Sequence, residues 1–278
     1  MKTSWLNELY RQYIHFDGRS VITHGIFYGV TSGGLLLKLK ACRYRGGIFA
    51  FVYEAMPLIV PITGCPEKYE VTSCGEINAN TDYCHQMGWE IFDEAARPYM
   101  NLHDAPEVLQ FVERRCADVL RLVDQRFRTL RDIRDYADFC KSRYAALSEE
   151  QRRAGISAYP ADYPAVGNMF CGNGGYVYVC TFFGEATAAL ARIRGERQCL
   201  RQVLDNSFAV GYTAPDAYAR ECAKADRLYQ EVEQALSTND LLACEAVLEK
   251  NYQKNHQLLS ERLGFSLPES YKDICKAE

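Results

Sequence analysis

Between Ser20 and Ile62 the chain alternates apolar and polar positions in three runs. They are rich in β-branched and aromatic residues and are separated by the pairs Gly33-Gly34 and Gly46-Gly47. This spacing predicts a meander of antiparallel strands joined by glycine turns. Strand side chains alternate between the two faces of a sheet. Leu35, Leu37, Leu39 and Ala41 therefore share one side of the middle run, and Lys38, Lys40 and Tyr44 share the other. The leucine side is expected to face the core and the lysine side to face water. A first turn at Ser32-Gly33 sets Val30 opposite Leu35, Tyr28 opposite Leu37 and Ile26 opposite Leu39, and places His24 on the inner face opposite Ala41. At the second turn a two-residue loop, Gly46-Gly47, would bury Glu54 opposite Leu39. A three-residue loop, Arg45-Gly46-Gly47, sets Tyr53 opposite Leu39, Phe51 opposite Ala41 and Glu54 opposite Lys38, a favourable cross-strand charge pair. The three-residue loop is preferred, with Gly47 in the left-handed conformation of a bulge. Pro57 and Pro61 end regular pairing. Glu67 to Ser73 reads as a weak further strand and residues 74–81 as loop.

Elsewhere the period is helical. Ser4 caps a first helix with Trp5, Leu6, Leu9, Tyr13 and Phe16 on one stripe, ending near Gly18. Tyr83, Met87, Ile91 and Ala95 form the next stripe. Asp104-Ala-Pro-Glu107 has the acid cap, early proline and following glutamate of a helix start. A further helix is predicted from about Thr129 to Leu147, with Ile133, Tyr136, Cys140 and Tyr144 on its face, and Ser148-Glu-Glu-Gln151 forms a capping box. Residues 155–175 hold Gly155, Pro160, Pro164, Gly167, Gly172, Gly174 and Gly175, and mark the best domain boundary. Beyond it Val179, Phe183, Ala186, Leu190 and Ile193 form a stripe expected to stop at Gly195, with a partner helix from Glu196 to Leu204. Another helix starts at Thr213-Ala-Pro-Asp216 and is carried by Tyr218, Cys222, Ala225, Tyr229, Val232 and Leu236. Ser237-Thr-Asn-Asp240 breaks the chain before a helix ending at Leu263-Gly264, and Ser266-Leu-Pro-Glu269 opens a last short one. The expected architecture is α+β. An antiparallel β-meander packed on helices (residues 1–147) is followed by an irregular linker or loop (148–175) and an irregular α-helical bundle (176–278).

Composition narrows the class. The 278 residues are 48% hydrophobic and 24% charged with a net charge of −4, which is ordinary for a globular chain and gives no electrostatic case for nucleic acid or an anionic membrane. No apolar run approaches the ~18 residues of a membrane span. The first residues lack the uninterrupted apolar core of a secretory signal, so a cytoplasmic location is expected. The 12 cysteines include no C-x-x-C pair. Several, such as Cys116, Cys222 and Cys244, fall at helical core spacing and are expected to be reduced, buried apolar residues.

Candidate chemistry is sparse. Cys171-Gly-Asn-Gly-Gly175 lies before an apolar helix, where a glycine loop can cradle phosphate. However, it lacks the G-x-G-x-x-G spacing and the Lys-Ser/Thr of a P-loop, and it reads as a linker. Cys65, Cys74, Cys84 and His85, with His103 in reserve, lack the short paired spacings of zinc sites. A cysteine nucleophile needs a histidine base, and none of His15, His24, His85, His103 and His256 sits in a recognisable motif. Seven arginines between Glu113 and Asp135 are interleaved with five acids, as in Arg131-Asp-Ile-Arg-Asp135, the pattern of a solvated helix face with local ion pairs. No catalytic residue, cofactor site or metal site is assigned. The leading expectation is a non-enzymatic protein that binds a protein partner, with an immunity- or adaptor-like role as the nearest fold-level analogy. The alternative is a hydrolase or small-ligand-binding enzyme whose site is assembled from residues distant in sequence. A cleft holding a cysteine or carboxylate beside a histidine would favour the alternative, and an exposed apolar patch the first reading.

Overall fold

A computed structural model of the protein describes residues 19–43, 49–62, 75–78 and 175–275, with single residues and short runs between 7 and 11 and between 84 and 149. For residues 41–43, 49–55 and 75–78 it describes the backbone path. Five antiparallel strands follow one another in chain order across one sheet: β1 (Arg19–Thr23), β2 (Ile26–Val30), β3 (Leu35–Arg43), β4 (Phe49–Pro57) and β5 (Gly75–Asn78). The helices of the C-terminal half are α1 (Gly175–Phe182), α2 (Ala186–Ala209), α3 (Pro215–Arg227), α4 (Gln230–Ser237), α5 (Leu241–Leu263) and α6 (Tyr271–Ile274). The architecture is α+β, as the periodicities indicate.

The meander differs from its sequence reading in three respects. The run from Ser20 to Val30 is a hairpin in its own right, turned tightly at His24-Gly25 with φ of 51° and 75°. Positive φ at both central residues matches the twist of the flanking strands. His24 is therefore exposed in a turn, next to the Thr23 hydroxyl at 3.0 Å, and not on the inner face opposite Ala41. The fifth strand is Gly75–Asn78, inside the segment read as loop, and pairs with residues 50–53 of β4. The proposed strand at 67–73 lies outside the described residues.

The third difference is one residue of register. Lys38 pairs with Tyr28, Leu36 with Val30 and Leu39 with Phe27. The loop is Ser32-Gly33-Gly34, closed by Thr31 N–H to the Leu35 carbonyl (2.9 Å), Gly34 N–H to the Thr31 carbonyl (3.2 Å) and Leu35 N–H to the Thr31 hydroxyl (3.0 Å). Gly34 is left-handed (φ 81°). This is the kind of bulged three-residue turn expected for the second hairpin, found here at the first. The β3–β4 register is as expected: Leu39 faces Tyr53, Ala41 faces Phe51 and Lys38 faces Glu54, with the loop itself outside the described residues. The shift brings Tyr28 and Val30 onto the face of Lys38, which Leu36 and Met56 already share, and all four are buried. Lys38 is 3% exposed, so the lysine side of the sheet is not wet. Both faces are covered, and an apolar-against-apolar criterion cannot choose between registers on such a sheet.

Among the scattered residues before 150, Tyr10 packs its ring 6.1 Å from Phe27 and aims its hydroxyl at the carbonyls of Gly25 (3.1 Å) and Leu39 (3.3 Å). Cys84 and Ala96 are buried whereas Met87 and Ala95 of the predicted stripe are exposed, and Tyr83 and Ile91 lie outside the described residues. Thr129 and Asp132 form a reciprocal cap: Thr129 N–H to Asp132 Oδ2 is 2.8 Å and Asp132 N–H to Thr129 Oγ1 is 3.3 Å. Leu130 and the predicted Ile133 are buried behind that cap.

The sheet and the helical half share one core. Their junction is the segment that leaves β4. Pro57 and Pro61 cannot donate to a ladder, and Leu58, Ile59 and Val60 are buried. Leu58 N–H finds the Gly34 carbonyl (2.8 Å) and Val60 N–H the Pro57 carbonyl (3.0 Å). The carbonyls are met from α5. Asn255 Nδ2 donates to Leu58 O and Val60 O, both at 2.6 Å, and its Oδ1 accepts from Ile62 N–H at 3.0 Å. One turn earlier, Asn251 Nδ2 donates to Ile59 O at 3.2 Å. The two residues are four apart and so lie on one side of the helix.

The breaks between helices also depart from the sequence reading. α2 runs straight through Gly195, joining the stripe and its supposed partner into one helix of 24 residues. A mid-helix glycine costs roughly 0.5–1 kcal/mol relative to alanine but does not end a helix. The chain breaks instead at residues 183–185 and at Leu228-Tyr229, where Tyr229 is left-handed (φ 64°). Arg197 holds this second break: its guanidinium donates to the Leu228 carbonyl and pairs with Glu233 at 2.7 Å. α5 begins at an Asp240 cap (Ala243 N–H to Oδ1, 3.0 Å) and ends at left-handed Gly264, as read. The last helix starts after Ser270, four residues later than Ser266.

Removing Asn255 strands two buried carbonyls and one N–H, each worth about 1–3 kcal/mol when unsatisfied. Asn255→Ala should destabilise the protein by at least about 3 kcal/mol and Asn251→Ala by about 1 kcal/mol in urea melts. Asn255→Asp, which replaces the amide donor by an acceptor oxygen facing the two carbonyls, should also be destabilising. Equal losses for the two alanine variants would show that Asn255 does not anchor the junction.

A Cβ at Gly34 would overlap Cys275 Sγ and sit 3.3 Å from its Cα, in a backbone conformation that L-residues avoid. Strain and overpacking together predict a loss of about 2–4 kcal/mol for Gly34→Ala. In a Cys275→Ala background the steric part is relieved, and the penalty measured by denaturation should shrink while the part due to positive φ remains.

Candidate functional site

Among the described residues, two places combine exposure with an arrangement of side chains that a partner or ligand can use. The first is a cleft of about 640 Å³ where the end of α1, the start of α5 and α6 meet. Phe182, Leu241, Leu248 and Tyr271 give it apolar walls, and Glu245 and Lys272 lie on its lining as an ion pair at 2.6 Å. Cys244 and Cys275 line it as well, and both are buried. The return of the chain along α5 builds the cleft. Tyr252 OH donates to the Pro268 carbonyl at 2.6 Å, Ser270 Oγ donates to Glu249 at 2.7 Å, and His256 Nε2 lies 3.2 Å from the Leu267 carbonyl. These contacts pin residues 267–272 against successive turns of α5 and bring Cys275 under Gly34.

Burial pushes the Cys275 thiol up to about 12, and desolvation raises that of Cys244 as well. Neither supplies a thiolate near neutral pH. No histidine lines the cleft among the described residues. A second group of polar residues surrounds α1. Arg134 makes a two-pronged pair with Glu185 (2.7 and 3.0 Å), and Tyr176 OH donates to Asp138 at 2.8 Å. Buried Cys180 lies in the same group, its thiol pushed up to about 12, foremost by desolvation. Arg134 thus reaches an acid 51 residues away and does not only pair within its own mixed-charge helix face. The group is a satisfied network that ties residues 134–138 to α1 and the turn after it.

The second place is the far half of α2. Its near half carries buried Ala189 and Ile193 and packs on α1 and α4. Beyond Arg197, α3 is its main neighbour, held by Arg201–Asp226 (2.6 Å), Tyr218 OH to Asp205 (2.6 Å) and the stacked rings of Phe208 and Tyr218 (4.5 Å). Among the described residues α3 covers one side of it. Val203 is 58% exposed, Val210 64% and Tyr212 88%, with Leu200 and Phe208 also on the surface. Leu241 and Leu242 are exposed at the start of α5. Ending the helix at Gly195 hid this surface from the sequence reading. Carrying the stripe of Ala189 and Ile193 onward would have reached Leu200 and Val203.

The sequence candidates are dispersed. His24 is in a surface turn, and His256 is bound to the backbone within the helical half. Cys84 is buried. Cys65, Cys74, His15, His85, His103 and residues 171–174 lie outside the described residues, while Gly175 is the buried first residue of α1. Among the described residues no three metal-ligating side chains cluster, and no helix is long and apolar enough to cross a membrane. Comparison with protein-family models, with curated proteins and with solved structures finds no match to this chain.

The buried thiols set a pH dependence. Cys180 and Cys275 lose their protons at about 12 in the folded protein against an ordinary value of 9.0. Between those values the unfolded chain binds fewer protons, so folding stability falls as pH rises. Stability in reductant should therefore be insensitive to these thiols below about pH 9 and then decline by on the order of 1 kcal/mol per pH unit for each thiol. Cys275→Ala should flatten that decline. A wild-type urea midpoint unchanged to about pH 10.5 would mean that these thiols are not buried as described.

Proposed function

We propose that the protein is a non-enzymatic, cytoplasmic protein-binding protein that engages its partner through the far half of α2 and the turn after it. The observation that carries this reading is the exposure of Val203, Val210 and Tyr212, with Leu200 and Phe208 beside them, on a helix pair whose main contact at that end, among the described residues, is with itself. Exposed apolar groupings of this kind on a water-facing surface are characteristic of interaction sites. Tyrosine is among the residues that most often dominate binding energy. Raised thiol values and the dispersal of the described histidines argue against nucleophilic cysteine chemistry. The net charge of −4 offers nothing to a nucleic-acid backbone.

A second reading, small-ligand binding, is favoured by the cleft beside α5, whose volume falls in the usual range for ligand sites. The two readings separate by where a partner touches. A photo-crosslinking amino acid placed at Val210 or Tyr212 in the source cell should give covalent adducts with a discrete polypeptide. The same probe at Lys254, exposed on α5, should give none. Equal adducts at all three sites, or none at any, would remove the protein-binding reading and leave the cleft as the site to pursue.

A further inference from the structure

The cleft where α1, α5 and α6 meet is lined by two polar side chains whose bonding is incomplete. Tyr271 is 3% exposed, and its ring meets that of Phe182 edge to face, with centroids 6.1 Å apart and planes at 71°. Two aromatic walls of the cleft therefore stand at nearly a right angle. The Tyr271 hydroxyl has no hydrogen-bond partner among the described residues and is not sealed from solvent, so it opens onto the cleft that the residue lines. A buried tyrosine hydroxyl normally finds a partner. Glu245 is the second such group. One of its carboxylate oxygens meets the Lys272 ammonium at 2.6 Å, and the other has no partner among the described residues.

The charges around the cleft suit a cation. Burial is the main force holding the Tyr271 proton, and the carboxylates of Glu245 and Glu249 add to it. Burial and then Glu249 act in the same sense on Cys275, and burial and then Asp240 on Cys244. Three separate points on the lining thus sense negative charge. Lys272 is the one cationic residue that lines the cleft among the described residues, and it is already engaged by Glu245.

We infer that the cleft binds a small organic amine, its ammonium held by the unpaired oxygen of Glu245 and by the Tyr271 hydroxyl, its apolar body against Phe182, Leu241 and Leu248. This names the ligand class for the small-ligand reading of the cleft, on which it rests. An ammonium donates to both a carboxylate and a hydroxyl oxygen, and the bond to the carboxylate is charge-assisted. Aromatic rings beside it add to the attraction. A ligand carboxylate would meet the like charge of Glu245 instead. Leu241 is 67% exposed on the lining, and an apolar body laid over it removes that surface from water. A volume of about 640 Å³ admits a body of one or two rings.

Calorimetric titration of the full chain with tryptamine, tryptophol and indole-3-acetate tests the charge preference, since the three share an indole and carry an ammonium, a hydroxyl and a carboxylate. Tryptamine should bind with Kd below about 1 mM, and about tenfold or more tighter than the other two. Glu245→Gln should weaken tryptamine by about tenfold and leave tryptophol unchanged. Tyr271→Phe, which keeps the ring, should weaken it severalfold. Lys272→Gln removes the competing cation and should tighten it. Glu245 and Lys272 are both about half exposed, so their variants should stay folded by circular dichroism. Tryptophol or indole-3-acetate binding as tightly as tryptamine overturns the inference, as does tryptamine binding that Glu245→Gln leaves intact or Lys272→Gln weakens. If indole-3-acetate binds and Lys272→Gln abolishes that binding, the amine is wrong and the small-ligand reading of the cleft stands. If none of the three binds, both fall.

Discussion

Leaving a sheet is costly when the departing strand goes inward, because its amides and carbonyls give up both ladder and water. Residues 58–60 do this: they follow β4 between two prolines and run through the core with their apolar side chains buried. The carboxamide side chain of asparagine, which carries donor and acceptor together, makes the path tolerable. Asn255 alone serves two carbonyls and an N–H, and Asn251 serves the carbonyl between them. A serine or an aspartate lacks the pair of N–H donors, and a leucine would leave all three groups stranded. Setting α5 in this way also positions the C-terminal residues. The chain after Gly264 folds back along the same helix, α6 closes one wall of the cleft, and Cys275 comes to rest against Gly34 at the first bulged turn. The two halves of the sequence therefore meet twice within a few residues, at the turn before β3 and at the segment after β4.

The sheet bears the mark of that arrangement. A meander with one face in water would show lysines outward and leucines inward. Here Lys38 is enclosed with Tyr28, Leu36 and Met56, so the sheet is a middle layer. A buried ammonium needs an opposite charge or hydrogen-bond acceptors to be stable. The strand register sets Glu54 directly across from Lys38, the charge pairing for which the three-residue loop is preferred, although that pairing is expected on a wet face.

Legibility followed the physics of each choice. The β3–β4 register could be read because one loop length set Glu54 against Leu39 and the other did not. The β2–β3 register could not, since residues on either face of a doubly covered sheet are apolar and a slip of one costs nothing visible in the sequence. Helices were readable from their period, and their caps from Pro215, Asp240 and Gly264. Their breaks were not: Leu228-Tyr229 is held open by Arg197 from a helix 31 residues earlier, and Gly195 has the composition of a stop without acting as one. The cleft draws on residues from Thr181 to Cys275, and no spacing rule connects them. The surface on α2 was hidden by a helix boundary placed too early, so that part was lost to an error in reading and not to an absence of signal.

The asparagine contacts also order events in time. The residues they join lie 192 to 197 positions apart, a separation that makes closure slow compared with local helix or hairpin formation. During synthesis at ~5–20 residues per second, α5 leaves the ribosome roughly 10–40 s after the meander. Throughout that interval the strands can pair, yet the buried carbonyls of residues 58–60 have no amide to meet them. The nascent meander is then a sheet with an unfinished exit and two apolar faces. This is the kind of intermediate that chaperones bind, and its lifetime is set by the length of chain between Ile62 and Asn251.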